Sequence, residues 1–227
     1  MRFVMIAMNN GKKLNEQEFK LTVSDLVMSI TIWILFFIIY LTISSYIPED
    51  QAYHYAFTTL SHLAAIVYLY LKAQRKLSAG IGKVPIYKFI ILGMLISAAL
   101  HVPYMLWLNK NTASEVFTSL YGYTLLGKVL YLLIICLFLP VVEEILFRYY
   151  YYRIIKENYG AFIAVGVSVS LFVGVHSFQS MNLLNLCLQG FIYTYVYEKT
   201  GSIKGSILVH SFNNSIWFIV TYMASIH

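Results

Sequence analysis

The sequence predicts an all-α fold, a polytopic membrane bundle of about seven transmembrane helices. Composition is the first reason, because 59% of the residues are hydrophobic and 11% are charged, whereas about one-quarter of a soluble domain is charged. The mean hydropathy of +0.70 is the second. The third is that uncharged stretches long enough to cross a hydrocarbon core of roughly 30 Å recur along the chain. The protein is therefore expected to be integral to a membrane.

Five apolar stretches are clear candidates for membrane spans. They cover residues 26–47, 53–71, 89–108, 161–178 and 205–226. Two helices with more polar residues are predicted at 124–152 and 181–197. Residues 1–25 mix apolar and charged positions, which favours a cytoplasmic or interfacial segment. Residues 26–227 contain no long linker and no clear repeat, so they are expected to form a single membrane domain.

The positive charge of the chain is distributed unevenly over this arrangement. The formal net charge is +6, and the Lys and Arg residues fall on one side of the predicted spans, with Lys110 and Lys128 toward the other. Positive residues mark the cytoplasmic side of membrane proteins. The N-terminus is therefore predicted inside and the C-terminus outside. Because topology explains the basic excess, the lipid bilayer is an expected partner and nucleic acid is not.

Three ionisable residues follow an uncharged run, in the stretch VVEEILFRYY at 141–150. Glu144 and Arg148 are four residues apart on one face of a helix, a spacing that permits an ion pair. Glu143 lies about 100° around the helix from Glu144, so the two carboxylates can have different roles. Ionisable side chains inside spans are rare and usually face the bundle interior, where they are functional by default.

The fifth and seventh predicted helices carry further pairs at the same spacing. Phe172 and His176 form one pair, and His210 and Asn214 form the other. The last pair alone is equally compatible with hydrogen bonding between helices, and an isolated Glu–Arg pair is more often structural. Three such pairs in one chain are harder to explain structurally. We therefore expect them to line a shared active site.

The spacing around a predicted turn supports this expectation. Gly160 suits the end of a helix, and Glu143 and His176 lie about sixteen residues before and after the turn. An antiparallel hairpin would bring these two side chains to the same depth. Pro140 lacks an N–H, so it should kink or loosen the helix next to Glu143.

Other polar and aromatic residues receive structural interpretations. His54, His62 and His101 are single histidines in apolar helices, and we expect them to be hydrogen-bonded interior residues. The run of tyrosines at 149–152 is typical of an aromatic belt at a membrane interface.

Three motifs carry a family resemblance. EEILFR matches Glu-Glu-x-x-x-Arg, FVGVH matches Phe-x-x-x-His, and HSFNN matches His-x-x-x-Asn. Together they resemble the CPBP family of intramembrane proteases, also called the Abi family, which includes type II CAAX prenyl endopeptidases and bacteriocin-processing or self-immunity proteins. The resemblance covers about residues 140–215. It implies a multi-pass protein of the bacterial cell membrane with a catalytic core at 124–226.

The resemblance also implies roles for individual residues. Glu143 would be the general base, and His176 would help to hold the attacking water. His210 and Asn214 would stabilise the oxyanion of the tetrahedral intermediate. The residues with supporting roles would be Glu144, Arg148 and Phe172. The substrate would be a membrane-associated peptide or protein.

A metal is the first open alternative. The family is often labelled metalloprotease, and Glu143, His176 and His210 are residue types that could ligate a catalytic zinc ion. The His-Glu-x-x-His helix of many zinc proteases is not present in the sequence. A water activated by glutamate, with no cofactor, is therefore favoured over zinc.

Function is the second open alternative. A non-proteolytic protein on the same scaffold, such as a bacteriocin-immunity factor or a partner of a membrane sensor, would bind without cleaving. A proton-coupled carrier is less favoured, because repeated broken helices are not visible.

Overall fold

The structure, a computed structural model, is all-helical over the residues that it describes: 21–44, 46, 51–73, 87–112, 125–176 and 183–225. These residues form seven consecutive helices and no β-strand. The helices are α1 (Val23–Ser44), α2 (Gln51–Ala73), α3 (Tyr87–Thr112), α4 (Leu125–Tyr159), α5 (Ala161–His176), α6 (Leu183–Thr200) and α7 (Ile203–Ser225). The predicted all-α class is confirmed. Most of the predicted N-terminal segment lies outside the described residues.

The polarity of the bundle is that of a protein immersed in an apolar medium. Two of the described helices are long and apolar enough to cross a membrane, Val23–Ile43 and Leu125–Tyr159. On α1, Leu35 is 53% exposed and Ile38 is 52% exposed, so aliphatic side chains cover its outer surface. Charged side chains such as Glu144 and Arg148 are buried instead. Membrane bundles show this combination because lipid accepts apolar groups and cannot satisfy polar ones.

Helix α4 contains two π-helical segments. It is α-helical over Leu125–Leu133, π-helical over Ile134–Phe138, α-helical over Leu139–Glu144 and again π-helical over Ile145–Tyr152. The first π-helical turn ends just before Pro140, which has no N–H to donate to the preceding turn. The loosening that Pro140 predicts is therefore present. Such π-helical turns are rare in proteins, but those that occur often lie at functional sites.

The turn between α4 and α5 is made at Gly160. Its φ of 83° and ψ of 167° lie in a region that is essentially restricted to glycine. Its N–H still donates to the carbonyl of Lys156 at 3.0 Å, which closes α4. The chain then reverses, and α5 packs along the second half of α4.

The tyrosines at 149–152 correct one prediction. All four side chains are buried, with exposures of 5%, 1%, 3% and 1% in chain order, so they do not form an interfacial belt. Four consecutive residues point in all directions around a helix, so this part of α4 is surrounded by protein. Ser29 of α1 donates to the Tyr151 hydroxyl at 3.2 Å, and the Tyr152 ring meets Tyr197 of α6 edge to face.

The interior histidine His62 behaves partly as predicted. It is fully buried on α2, and its Nδ1 lies 2.5 Å from the carbonyl oxygen of Thr58. Its Nε2 has no hydrogen-bond partner among the described residues. The side chains of His54 and His101 lie outside the described part of the structure.

Gly93 brings α3 into close contact with α6 and with α7, which carries the third polar motif. A Cβ atom at this position would lie 2.7 Å from a methyl carbon of Val196 on α6 and 3.2 Å from one of Val209 on α7. Replacing Gly93 with Val should therefore overpack the crossing and lower the free energy of unfolding by about 1–3 kcal/mol. Reversible unfolding in mixed micelles measures the change.

Gly166 supplies the matched control for this substitution. It lies within α5, and a Cβ atom there would meet nothing within 4 Å. Gly166→Val should leave stability nearly unchanged. Equal losses in the two variants would contradict the proposed close contact at Gly93.

Candidate active site

Glu143 lies between two imidazole rings. Its Oε1 is 3.7 Å from Nε2 of His176, and its Oε2 is 3.5 Å from Nε2 of His210. The carboxylate comes from α4, and the imidazoles come from α5 and α7. The structure therefore brings together three of the four catalytic residues predicted from the motifs, including the pair that the spacing around Gly160 places at one depth.

The opposite ring nitrogens determine which way the imidazoles face. Nδ1 of His176 lies 2.8 Å from the carbonyl oxygen of Phe172, and Nδ1 of His210 lies 2.8 Å from Oε1 of Glu144. A backbone carbonyl oxygen can only accept a hydrogen bond, and the same is true of an ionised carboxylate oxygen. Both Nδ1 atoms therefore carry a proton. Each ring therefore turns Nε2 toward Glu143. The two Nε2–carboxylate separations exceed the usual hydrogen-bond distance of about 3 Å.

The pair Glu144 and Arg148 forms the ion pair that its spacing predicts. Nη1 of Arg148 donates to Oε1 of Glu144 at 2.9 Å, and both side chains are 0% exposed. Nη2 of Arg148 donates to the carbonyl oxygen of Gly190 on α6 at 3.3 Å. Glu144 thus accepts from Arg148 and from His210 on the same oxygen. A buried charge is costly unless it is paired, and this carboxylate has two cationic or donating partners.

Phe172 joins the two imidazoles through apolar contacts. Its ring is 1% exposed and lies 4.4 Å from the His176 ring and 5.9 Å from the His210 ring, measured between centroids. The guanidinium carbon of Arg148 lies 4.8 Å from its centroid. Phe172 therefore packs against three polar side chains of the site and excludes water from their apolar sides.

Asn214 makes a contact that its motif does not predict. Its Nδ2 donates to the backbone carbonyl of Ile135 at 3.0 Å. In a π-helical turn that carbonyl would accept from the residue five positions later, which is Pro140, and proline has no N–H. Asn214 therefore satisfies a carbonyl that the loosened turn leaves without a backbone donor. It lies one helical turn from His210 along α7.

The side chains around Glu143 bear on whether the site could hold zinc. Two imidazole nitrogens and a carboxylate are ligand types that zinc accepts. Across the described ranges, however, no group of three or more His, Cys, Asp or Glu side chains is arranged to hold a metal ion.

Helix α6 contributes two residues, Gly190 and Tyr193, that belong to none of the three motifs. Tyr193 stacks on the His210 ring with centroids 4.4 Å apart. Gly190 allows α6 to approach α5, since a Cβ atom there would lie 3.3–3.4 Å from side-chain atoms of Val169 and Phe172. The two residues are three apart and share one face of the helix. A glycine followed three residues later by an aromatic residue on one helix face is the sequence pattern that could have indicated them.

A comparison with protein families identifies the region that contains this site. Residues 124–216 match the family model described as type II CAAX prenyl endopeptidase Rce1-like. The matched region begins just before α4 and includes all three motifs, so the resemblance inferred from them is confirmed. Comparisons with curated proteins and with solved structures give no match.

Proposed function

From the match of residues 124–216 to the Rce1-like type II CAAX prenyl endopeptidases, we propose that the protein is an intramembrane endopeptidase. It would hydrolyse a peptide bond of a membrane-associated peptide or protein. One observation carries the proposal: the two carboxylate oxygens of Glu143 face the Nε2 atoms of His176 and His210 at 3.7 and 3.5 Å. A buried base between two oriented imidazoles is suited to activating water against a carbonyl group.

The attack on the peptide bond follows from these positions. A water between Glu143 and His176 donates one hydrogen bond to the carboxylate and one to the Nε2 lone pair. As its oxygen bonds to the scissile carbonyl carbon, one proton passes to Glu143 and the carbonyl oxygen becomes an oxyanion. Glu143 then gives this proton to the leaving nitrogen as the C–N bond breaks. The products are a carboxylic acid and an amine, and one water is consumed.

The oxyanion requires hydrogen-bond donors, which His210 and Asn214 supply in this proposal. Nδ1 of His210 donates to Glu144, so the Nε2 edge of the ring faces the space beside Glu143 in which the oxyanion would form. Asn214 keeps one N–H of its amide for the oxyanion while the other is bound to the carbonyl of Ile135. Arg148 and Phe172 hold Glu144 and the imidazoles in place.

The membrane arrangement is part of the same proposal. Residues 26–227 form a membrane domain with seven spans, with the N-terminus inside, the C-terminus outside and the catalytic core at 124–226. Residues 1–25 form a cytoplasmic or interfacial segment. The bacterial cell membrane is the proposed location. The exposed aliphatic surface of α1 and the burial of the ionisable residues support immersion in lipid.

The non-proteolytic alternatives have less support. The matched family model describes an endopeptidase, and no contact in the described part of the chain favours an immunity role or a membrane sensor as partner.

Comparing the peptides in membranes tests the proposal. Cells producing the wild-type protein and cells producing the double variant Glu143→Gln/His176→Gln are matched for protein level, and membrane peptides are identified by mass spectrometry. We expect a set of peptides with new ends at a common sequence, present only with the wild-type protein. Identical peptide sets, together with any protective effect that survives both substitutions, would instead support a binding protein.

A further inference from the structure

We propose that Tyr193 is a positioning residue that holds the imidazole of His210 in its working orientation. This inference rests on the proposed peptidase function for its kinetic consequence, but its structural part stands on contacts alone. Tyr193 lies on α6, between the second and third motifs, and is 0% exposed. Its ring is nearly parallel to that of His210, with an interplanar angle of 17° and centroids 4.4 Å apart.

The stacked ring supplies a constraint that the hydrogen bond to Glu144 does not. The bond from Nδ1 to Oε1 of Glu144, at 2.8 Å, fixes one edge of the imidazole. The χ2 torsion of histidine is broad, so this single bond permits the ring to tilt. Contact across the ring face with Tyr193 opposes the tilt. The hydrogen bond to Glu144 and the stacking contact with Tyr193 together fix the ring so that its Nε2 lies 3.5 Å from Oε2 of Glu143.

Tyr193 is itself held firmly. Its hydroxyl donates to Oε1 of Gln189 at 3.3 Å, and its ring meets Phe172 edge to face with centroids 6.0 Å apart. The guanidinium carbon of Arg148 lies 5.3 Å from the ring centroid. Tyr193 therefore contacts both groups that bind Glu144, Arg148 and His210. Through these contacts, the position of α6 affects the positions of Arg148 and His210.

The flat shape of an aromatic ring also suits this contact. Its face covers the face of the His210 imidazole, with centroids 4.4 Å apart, and aromatic rings prefer such ordered arrangements. An aliphatic side chain of similar volume would fill the space without a flat face, and a phenylalanine would retain it.

Three substitutions and a control test the inference. The variants are Tyr193→Phe, Tyr193→Leu and Tyr193→Met, the last because methionine adapts its shape if leucine impairs folding. Tyr152→Leu removes another buried tyrosine, whose ring packs against Tyr197, outside the site. Cleavage of an internally quenched farnesylated CAAX peptide in proteoliposomes gives kcat and KM. In parallel, mass spectrometry follows the rate at which diethyl pyrocarbonate modifies His210.

The leucine and methionine variants should lower kcat by about 10- to 100-fold, with KM within about twofold, because the imidazole is misplaced only slightly. They should also be modified faster at His210. Tyr193→Phe keeps the stacked ring but loses the bond to Gln189, so it should lie between the wild type and the leucine variant in both measurements. Tyr152→Leu should match the wild type. Modification of His210 at the wild-type rate in folded leucine and methionine variants would overturn the inference. Because the modification needs no substrate, that result is distinct from a failure of the peptidase proposal, in which the wild-type protein cleaves nothing.

Discussion

Replacing Glu143 with Gln should lower kcat/KM for peptide cleavage by about 10²- to 10⁴-fold, the usual contribution of a general base. Glutamine has nearly the same shape but cannot take a proton from water. The side chain would remain between His176 and His210, so the positions of the neighbouring helices should not change. Cleavage of a quenched farnesylated CAAX peptide by the purified protein in proteoliposomes measures the loss.

The stability of the Glu143→Gln variant should stay the same or increase, although its activity falls. Glu143 is 5% exposed, and a buried carboxylate without a close ion-pair partner costs free energy. Gln at this position should therefore unfold at the same denaturant concentration as the wild type, or a higher one. A gain in stability with a loss of activity is the signature of a residue kept for function.

Glu157 provides the matched control. It lies near the end of α4, its side chain is 41% exposed, and it accepts from Arg153 at 3.0 Å. Glu157→Gln makes the same chemical change at the surface, and cleavage should stay within about twofold of wild type. If the folded Glu143→Gln protein retains a tenth or more of the activity, Glu143 is not the base.

Replacing Arg148 with Met should lower the free energy of unfolding by about 3–5 kcal/mol, the cost of removing one partner from a buried ion pair. The loss is large because Glu144 would keep its charge with one partner fewer, and because the carbonyl of Gly190 would lose a donor. Arg148→Lys should fall in between, since an ammonium keeps the charge but not the fork of donors. Reversible unfolding in mixed micelles measures both variants.

A double-variant cycle separates the ion pair from packing. Glu144→Gln/Arg148→Met removes both charges, so it should be more stable than the sum of the two single losses predicts. Arg153→Met is the surface control, because Arg153 and Glu157 are also an i, i+4 pair but remain partly exposed. Its cost should be below about 1 kcal/mol. Additive losses at 144 and 148 would show that the buried pair is not energetically coupled.

Some parts of the site were predictable because local backbone geometry decides them. The four-residue spacing of Glu144 and Arg148 places them on one helix face, and the ion pair at 2.9 Å follows. The two helices that meet at Gly160 form a hairpin, so equal distances from the turn bring Glu143 and His176 together. Neither prediction required any knowledge of the other helices.

Other parts depended on which helices meet and on how each is rotated. His210 binds Glu144 across 66 residues of sequence, and Asn214 binds the carbonyl of Ile135 across 79. The motif pattern indicated a shared site but not these pairings. The tyrosines at 149–152 show the same dependence. A run of aromatic residues looks the same in the sequence whether its side chains face lipid or other helices.

The amino-acid sequence by itself determined that this protein is helical, where its apolar helices run, and which polar side chains they carry, because hydropathy and a period of 3.6 residues are local properties. Only the tertiary structure decided that Tyr193 stacks on His210 and that Asn214 donates to the carbonyl of Ile135 in the turn before Pro140. Those contacts depend on helix crossings, which arise from the packing of many side chains at once.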